Sequence, residues 1–96
     1  MKQIKFKVNL PVSIFREGKS FVAYTPVLDL STSGKTYNEV RKRFSEIVKI
    51  FFNETAMNGD LNTVLLDLGW KKIKTEWTPP VLVSQRIENV EMALKT

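Results

Sequence analysis

The fold is decided by residues 21–54, which read FVAYTPVLDLSTSGKTYNEVRKRFSEIVKIFFNE. This stretch has the pattern of a strand, a second short strand, a glycine loop and one long amphipathic helix. Thr36 followed by Glu39 fits a capping box, in which the threonine side chain accepts from the third helical amide and the glutamate reaches back to the cap amide. We predict that the helix starts here and covers one face of a sheet.

The predicted helix has an apolar face and a polar face. On the polar face, Glu39 and Arg43 are spaced for an ion pair worth about 0.2–0.5 kcal/mol. Ile50 points away from the apolar face and indicates a further contact surface, and Asn58-Gly59 ends the helix. The apolar face consists of Tyr37, Val40, Phe44, Ile47, Val48, Phe51 and Phe52.

Strands are predicted on the N-terminal side of the helix. Apolar residues occupy the even positions from Ile4 to Phe15, which is the period of a half-buried strand. Pro11 lacks an amide hydrogen, so this strand should lie at an edge or carry a bulge there. Gly18, within the turn at residues 16–19, would then connect it to a second strand over residues 20–25, and a third short strand is expected at residues 27–32.

The part after the helix is predicted to add a short helix, a strand and a tail. Asp60 and Gly69 fit the ends of a helix over residues 61–68, and residues 70–77 have the composition of a strand. Pro79-Pro80 resembles a linker, and an extended tail is expected beyond it. The prediction is an α+β fold of the order β-β-β-α-β, with one domain at residues 1–78 and the tail at residues 79–96.

Composition excludes several kinds of site. A chain of 96 residues forms one domain, and it contains no Cys and no His, which removes disulfides, thiolate zinc sites and imidazole catalysis. We therefore predict that the protein is not an enzyme and has no cofactor. Its N-terminus lacks a continuous apolar run, so neither a signal peptide nor a membrane span is expected, and a cytoplasmic location is the default.

The net charge of +5 is compatible with an anionic partner. If the first and fourth strands were neighbours, they would form a basic stripe, and Trp70 or Trp77 could stack a base. The alternative is that the lysines solvate the sheet and the tryptophans seal the core or a subunit contact. The candidate anion-contacting residues are Lys5, Lys7, Lys72 and Lys74.

Two further hypotheses concern Asp29 and the tail. Asp29 is the acid placed most plausibly on the sheet, in the third strand, and a divergent metal-dependent nuclease of the ribonuclease H type would use it. The apolar residues of the tail would be uncovered in a monomer, which predicts a homodimer. The candidate dimer contacts are Val81, Val83, Val90 and Met92.

The order of these elements and the local sequence resemble the HicB antitoxin family. The residues that carry the resemblance are FVAYTPVLDL at 21–30, STSGKT at 31–36, TYNEV at 36–40 and LLDLGW at 65–70. The resemblance covers about residues 4–77, and each motif is loose while their order and spacing agree.

The resemblance implies a partial ribonuclease H-like fold without nuclease activity. It also implies a partner, a HicA-type toxin, which is a small basic ribonuclease that the family binds and neutralises. Family members carry a separate C-terminal DNA-binding module, and the 16 residues after Pro80 are expected to be too few for it. The leading hypothesis is a non-catalytic HicB-like binding protein, and the alternatives are weak nucleic-acid binding and the nuclease that would use Asp29.

Overall fold

A computed structural model of the chain describes residues 8–95. It confirms the α+β class, with a three-stranded antiparallel sheet followed by a long helix, a short helix and a second, two-stranded sheet. The first sheet consists of β1 (Ser13–Glu17), β2 (Ser20–Thr25) and β3 (Leu30–Gly34), in that spatial order. Next come α1 (Tyr37–Met57), α2 (Leu61–Asp67), β4 (Lys71–Ile73) and β5 (Glu76–Thr78).

The first hairpin forms where the glycine predicts it. Gly18 has a φ of 60°, and Glu17 pairs with Ser20 across the two-residue loop. Within the described residues, β1 begins at Ser13, and residues 8–12, which include Pro11 and were predicted to belong to the strand, have no regular structure. Residues 4–7 of the predicted strand lie outside the described residues. Among the described residues β1 is an outer strand of its sheet, although Pro11, from which the edge position was predicted, lies outside β1.

Two other predicted strands are corrected. β3 begins at Leu30, three residues later than predicted, because Val27 and Leu28 pack into the core from the turn. The predicted strand at 70–77 is a hairpin, β4 paired with β5, whose loop includes Lys74 with a φ of 57°. This pair forms a sheet of its own.

The helix begins as the capping box predicts. Oγ1 of Thr36 accepts a hydrogen bond from the amide of Glu39 at 3.0 Å. The glutamate reaches one residue further than expected, accepting from the amide of Lys35 at 3.3 Å. Gly34 is buried directly behind this start, where a Cβ would lie 2.8 Å from the amide nitrogen of Val40. Only glycine fits this approach of strand and helix without a shift of the backbone.

The core lies between the sheet and the helices. One cluster surrounds Ala23, Val40 and Phe44, so α1 covers the sheet face on which Ala23 lies. A second cluster surrounds Leu65 and Trp70, and it also contains Val27, Leu28 and Phe52. Within residues 8–95, neither helix is both long and apolar enough to cross a membrane.

Candidate protein-interaction surfaces

The second face of the first sheet is left uncovered by α1. Side chains alternate between the two faces of a strand, so the residues next to Ala23 in β2 point away from the helix. Val22 pairs with Phe15, and Tyr24 pairs with Ser13. We call this surface the open face, and its positions on the three strands are Ser13, Phe15, Glu17, Ser20, Val22, Tyr24, Ser31 and Ser33.

The open face has an apolar centre and acidic margins. Phe15 is 57% exposed, and Val22 and Tyr24 beside it are half-buried. Glu17 is the one charged residue at the open-face positions of the strands. A second carboxylate, that of Asp29, accepts a hydrogen bond from the Tyr24 hydroxyl of this face at 3.1 Å. The strands thus place one carboxylate and no Lys or Arg on this face, although the whole chain carries a charge of +5.

Asp29 does not lie in a strand, which corrects the prediction. It occupies the turn before β3 with a φ of 50°, and its carboxylate is exposed. This carboxylate accepts the hydrogen bond from Tyr24 and raises the pKa of that phenol above 10.0, an effect to which desolvation and charge repulsion contribute less. Residues 8–95 contain no group of three or more side chains suited to hold a metal ion. The nuclease hypothesis thus loses the strand position on which it was built.

The basic residues are divided between different parts of the chain. Lys72 and Lys74 are exposed on the second hairpin, whereas Lys5 and Lys7 lie outside the described residues. β4 pairs with β5, and within residues 8–95 it does not pair with β1. The stripe that would combine the four lysines stays a prediction.

The two tryptophans have different environments. Trp70 is 3% exposed, and its Nε1 donates to the carbonyl oxygen of Val27 at 2.7 Å. Trp70 therefore seals the core, as the alternative interpretation predicts, and cannot stack a base. Trp77 is half-buried, with the Lys72 ammonium 5.6 Å from its ring centroid. The Lys72 ammonium therefore covers one side of the Trp77 ring, so a base could stack only on the other side.

The arginines of α1 make contacts within the domain. Arg43 forms the predicted ion pair with Glu39 at 2.9 Å, and it also donates to the carbonyl oxygen of Ser33 at 3.2 Å. The second contact joins the helix to β3, and no local pattern in the sequence signals it. The guanidinium of Arg41 lies over Tyr37, 5.7 Å from the ring centroid. Ile50 is 52% exposed, as the helical wheel predicts.

The tail from Pro79 to Lys95 has no regular structure, and the strand-like conformation stays a prediction. Its first residues border a cleft of about 190 Å³. Further along, Gln85 donates to the Ser13 hydroxyl at 3.0 Å. The cleft is lined by Pro11, Pro26, Val27, Pro80, Val81 and Leu82, and the exposed apolar residues of the tail are Val81, Leu82, Val83, Ile87, Val90, Met92 and Leu94.

Comparison of the chain with protein-family models, with curated proteins and with solved structures found no match.

Proposed function

We propose that this chain is a non-catalytic HicB-like protein of the antitoxin type, which acts by binding other proteins. The observation that carries the proposal is the open face, where Phe15, Val22 and Tyr24 form an apolar centre between the carboxylates of Glu17 and Asp29. An apolar centre with a charged margin is the usual composition of a protein-binding surface.

Three motifs that carry the resemblance to HicB proteins have structural reasons in this chain. Gly34 allows β3 to approach the start of α1, and Thr36 caps that helix. Gly69 takes a φ of 89° after α2, and Trp70 then closes the core. These residues hold together the elements over which the resemblance to HicB proteins extends, and in this way they support the proposal.

The charge of the open face favours a basic partner. A HicA-type toxin is a small basic ribonuclease, and a chain with a net charge of +5 would repel it on average. The strands present no Lys or Arg on the open face, while the carboxylates of Glu17 and Asp29 lie at its margins. A basic protein would therefore be steered to this face and away from the lysines of the second hairpin.

Calorimetric titration of a catalytically inactive HicA-type toxin tests this proposal. We expect Phe15→Ser to weaken binding tenfold or more, which corresponds to about 1.4 kcal/mol for a central aromatic contact. Ile50→Ser is the matched control, because Ile50 is 52% exposed and lies on α1, which covers the opposite face. Its affinity should stay within about twofold of wild type. Equal losses in the two variants would place the partner elsewhere.

We further propose that the protein is a homodimer whose contacts include Val81, Val83, Val90 and Met92. Each of these side chains is exposed in the single chain, and Val83 reaches 92%. Light scattering on the full chain and on a chain truncated after Thr78 tests the proposal. A dimer that becomes a monomer on truncation is expected, and a full-length monomer would contradict it.

Weak nucleic-acid binding is the second candidate function. It is favoured by Lys71, Lys72 and Lys74, which are exposed together on the second hairpin beside Trp77. Binding of a short oligonucleotide should then weaken steeply as the salt concentration rises. Lys72→Gln combined with Lys74→Gln should reduce the salt dependence, with Lys42→Gln combined with Lys49→Gln as the control on α1. No binding at low salt would exclude this function.

A further inference from the structure

We propose that residues 86–95 of the tail add as a strand to the outer edge of β1 in a second copy of the chain, and that two copies exchange their tails in this way. This inference rests on the proposed homodimer and specifies the surface that receives the tail. Addition of an extended segment to an open sheet edge is a common mode of peptide recognition.

The acceptor is the outer edge of β1. Among residues 8–95, β1 pairs only with β2, so none of these residues occupies its other side. Gly18 alone in the hairpin loop has a positive φ, which matches a type II′ turn and makes Glu17 and Ser20 a hydrogen-bonded pair. Hydrogen-bonded and non-bonded pairs then alternate along the ladder. The amides and carbonyls of Ile14 and Arg16 consequently point outward, where an added strand could bind them.

The donor has the pattern of a strand and lacks a partner for it. Val90, Met92 and Leu94 alternate with Glu91 and Ala93, which places the three large apolar side chains on one face of an extended segment. No backbone-to-backbone hydrogen bond joins the tail to any other described residue. At a sheet edge the backbone of the tail would gain hydrogen-bond partners, and its apolar side chains would be covered.

The geometry favours a second copy over the same chain. A hydrogen bond from Gln85 to Ser13 joins the tail to β1 of the same chain, and the ten tail residues described after Gln85 make no backbone hydrogen bond to another described residue. Ten extended residues span about 33 Å, which exceeds the shorter dimensions of the molecule, 29 and 25 Å. The radius of gyration is 16.6 Å, against about 12.5 Å for a compact chain of this length. Ile87, Val90, Met92 and Leu94 are each at least 68% exposed, which agrees with a tail that projects from the rest of the chain.

Charge and symmetry agree with a closed dimer. The tail contains Arg86 and Lys95 against Glu88 and Glu91, so it is neutral and is not repelled by a copy that carries a charge of +5. Each copy offers one tail and one β1 edge. A reciprocal exchange uses both, and the assembly closes at two copies instead of growing into a filament.

The absence of cysteine from the sequence allows a direct test by cross-linking. One variant carries Arg16→Cys at the β1 edge, and another carries Val90→Cys in the tail. The two full-length variants are mixed, allowed to exchange subunits and treated with a short bismaleimide. We expect a product of about twice the 11.1 kDa chain mass that requires both variants. A mixture in which Asn53→Cys on α1 replaces the edge variant is the matched control and should give no such product.

The outcomes separate this inference from the proposals on which it rests. In one outcome light scattering shows a dimer, but cross-linking gives no edge-to-tail product, or no more product than the α1 control gives. Either result overturns the tail exchange and leaves the homodimer intact. A single chain that carries both cysteines provides a second test. If its cross-linked product has only the mass of a monomer, the tail pairs within its own chain, and the tail exchange is again overturned. Toxin binding by the open face is measured independently of both results.

Discussion

Replacing Trp70 with Phe removes a buried hydrogen bond and part of a core ring. Nε1 of Trp70 donates to the Val27 carbonyl at 2.7 Å, and phenylalanine has no donor to replace it. The buried carbonyl loses its partner, at a cost of about 1–3 kcal/mol. The smaller ring leaves a cavity beside Phe52, whose ring centroid lies 6.1 Å from that of Trp70, which adds about 1 kcal/mol. We expect the free energy of unfolding to fall by about 2–4 kcal/mol.

Urea denaturation followed by far-ultraviolet circular dichroism measures this loss. The matched control is Trp77→Phe, because Trp77 is half-buried and its ring contacts the Lys72 ammonium instead of donating a buried hydrogen bond. Such a cation–π contact is worth about 0.5–1 kcal/mol at an exposed site, so the control should lose no more than about 1 kcal/mol. If Trp70→Phe costs no more than Trp77→Phe, the assignment of Trp70 to the core is refuted.

Three more perturbations test the local structure. Gly34→Ala places a Cβ 2.8 Å from the Val40 amide nitrogen and should lower the free energy of unfolding by about 1–3 kcal/mol in urea denaturation. Thr36→Ala removes the helix cap and should cost about 1 kcal/mol in the same assay. Asp29→Asn should lower the raised pKa of Tyr24 towards 10.0 in a spectrophotometric titration. Because the raised pKa favours the neutral phenol in the folded state, its contribution to stability is present below pH 10.0 and is lost as the pH rises through the folded pKa.

Each of these perturbations has a control. The control for Gly34→Ala is Gly18→Ala, which introduces no contact within 4 Å and adds only the strain of a φ of 60°. It should lower the free energy of unfolding by about 1–2 kcal/mol. A smaller loss of stability in Gly34→Ala than in Gly18→Ala would contradict the close approach of β3 and α1. Ser45→Ala lies on the exposed surface of α1 and should not destabilise the protein, in contrast to Thr36→Ala. An unchanged tyrosine titration in Asp29→Asn would contradict the hydrogen bond at that residue.

The features predicted correctly from the sequence are those that local chemistry determines. Gly18 marks the first hairpin because its positive φ is intrinsic to a tight turn. Thr36 and Glu39 mark the start of α1 because both cap contacts lie within four residues. The period of α1 likewise identified Val40 and Phe44 as buried residues, although Tyr37 on the same predicted face is 51% exposed.

The features predicted wrongly depend on distant contacts or on unusual turns. Leu28 and Leu30 alternate like strand residues, but the segment before Leu30 is a turn whose carbonyl at Val27 bonds Trp70, 43 positions along the chain. The second hairpin was missed because its loop contains no Gly, Asn or Pro, and Lys74 takes its positive φ without such a signal.

The open face was only partly accessible from the sequence. Alternation indicates that Val22 and Tyr24 point away from the helix once Ala23 is known to face it. The strand register, which brings Phe15 beside Val22, and the turn that brings Asp29 to the Tyr24 hydroxyl require the folded chain. The absence of Lys and Arg from the strand positions of this face is also hidden in a sequence whose net charge is +5.

The most direct test of the antitoxin-type function is the rate at which a HicA-type toxin cleaves RNA in the presence of increasing amounts of the purified full chain. We expect cleavage to fall to background near equimolar protein. We also expect Phe15→Ser to shift the inhibition to concentrations at least tenfold higher, because it removes a central aromatic contact. Undiminished cleavage by a panel of such toxins at a large excess of the wild-type chain would contradict the antitoxin-type function.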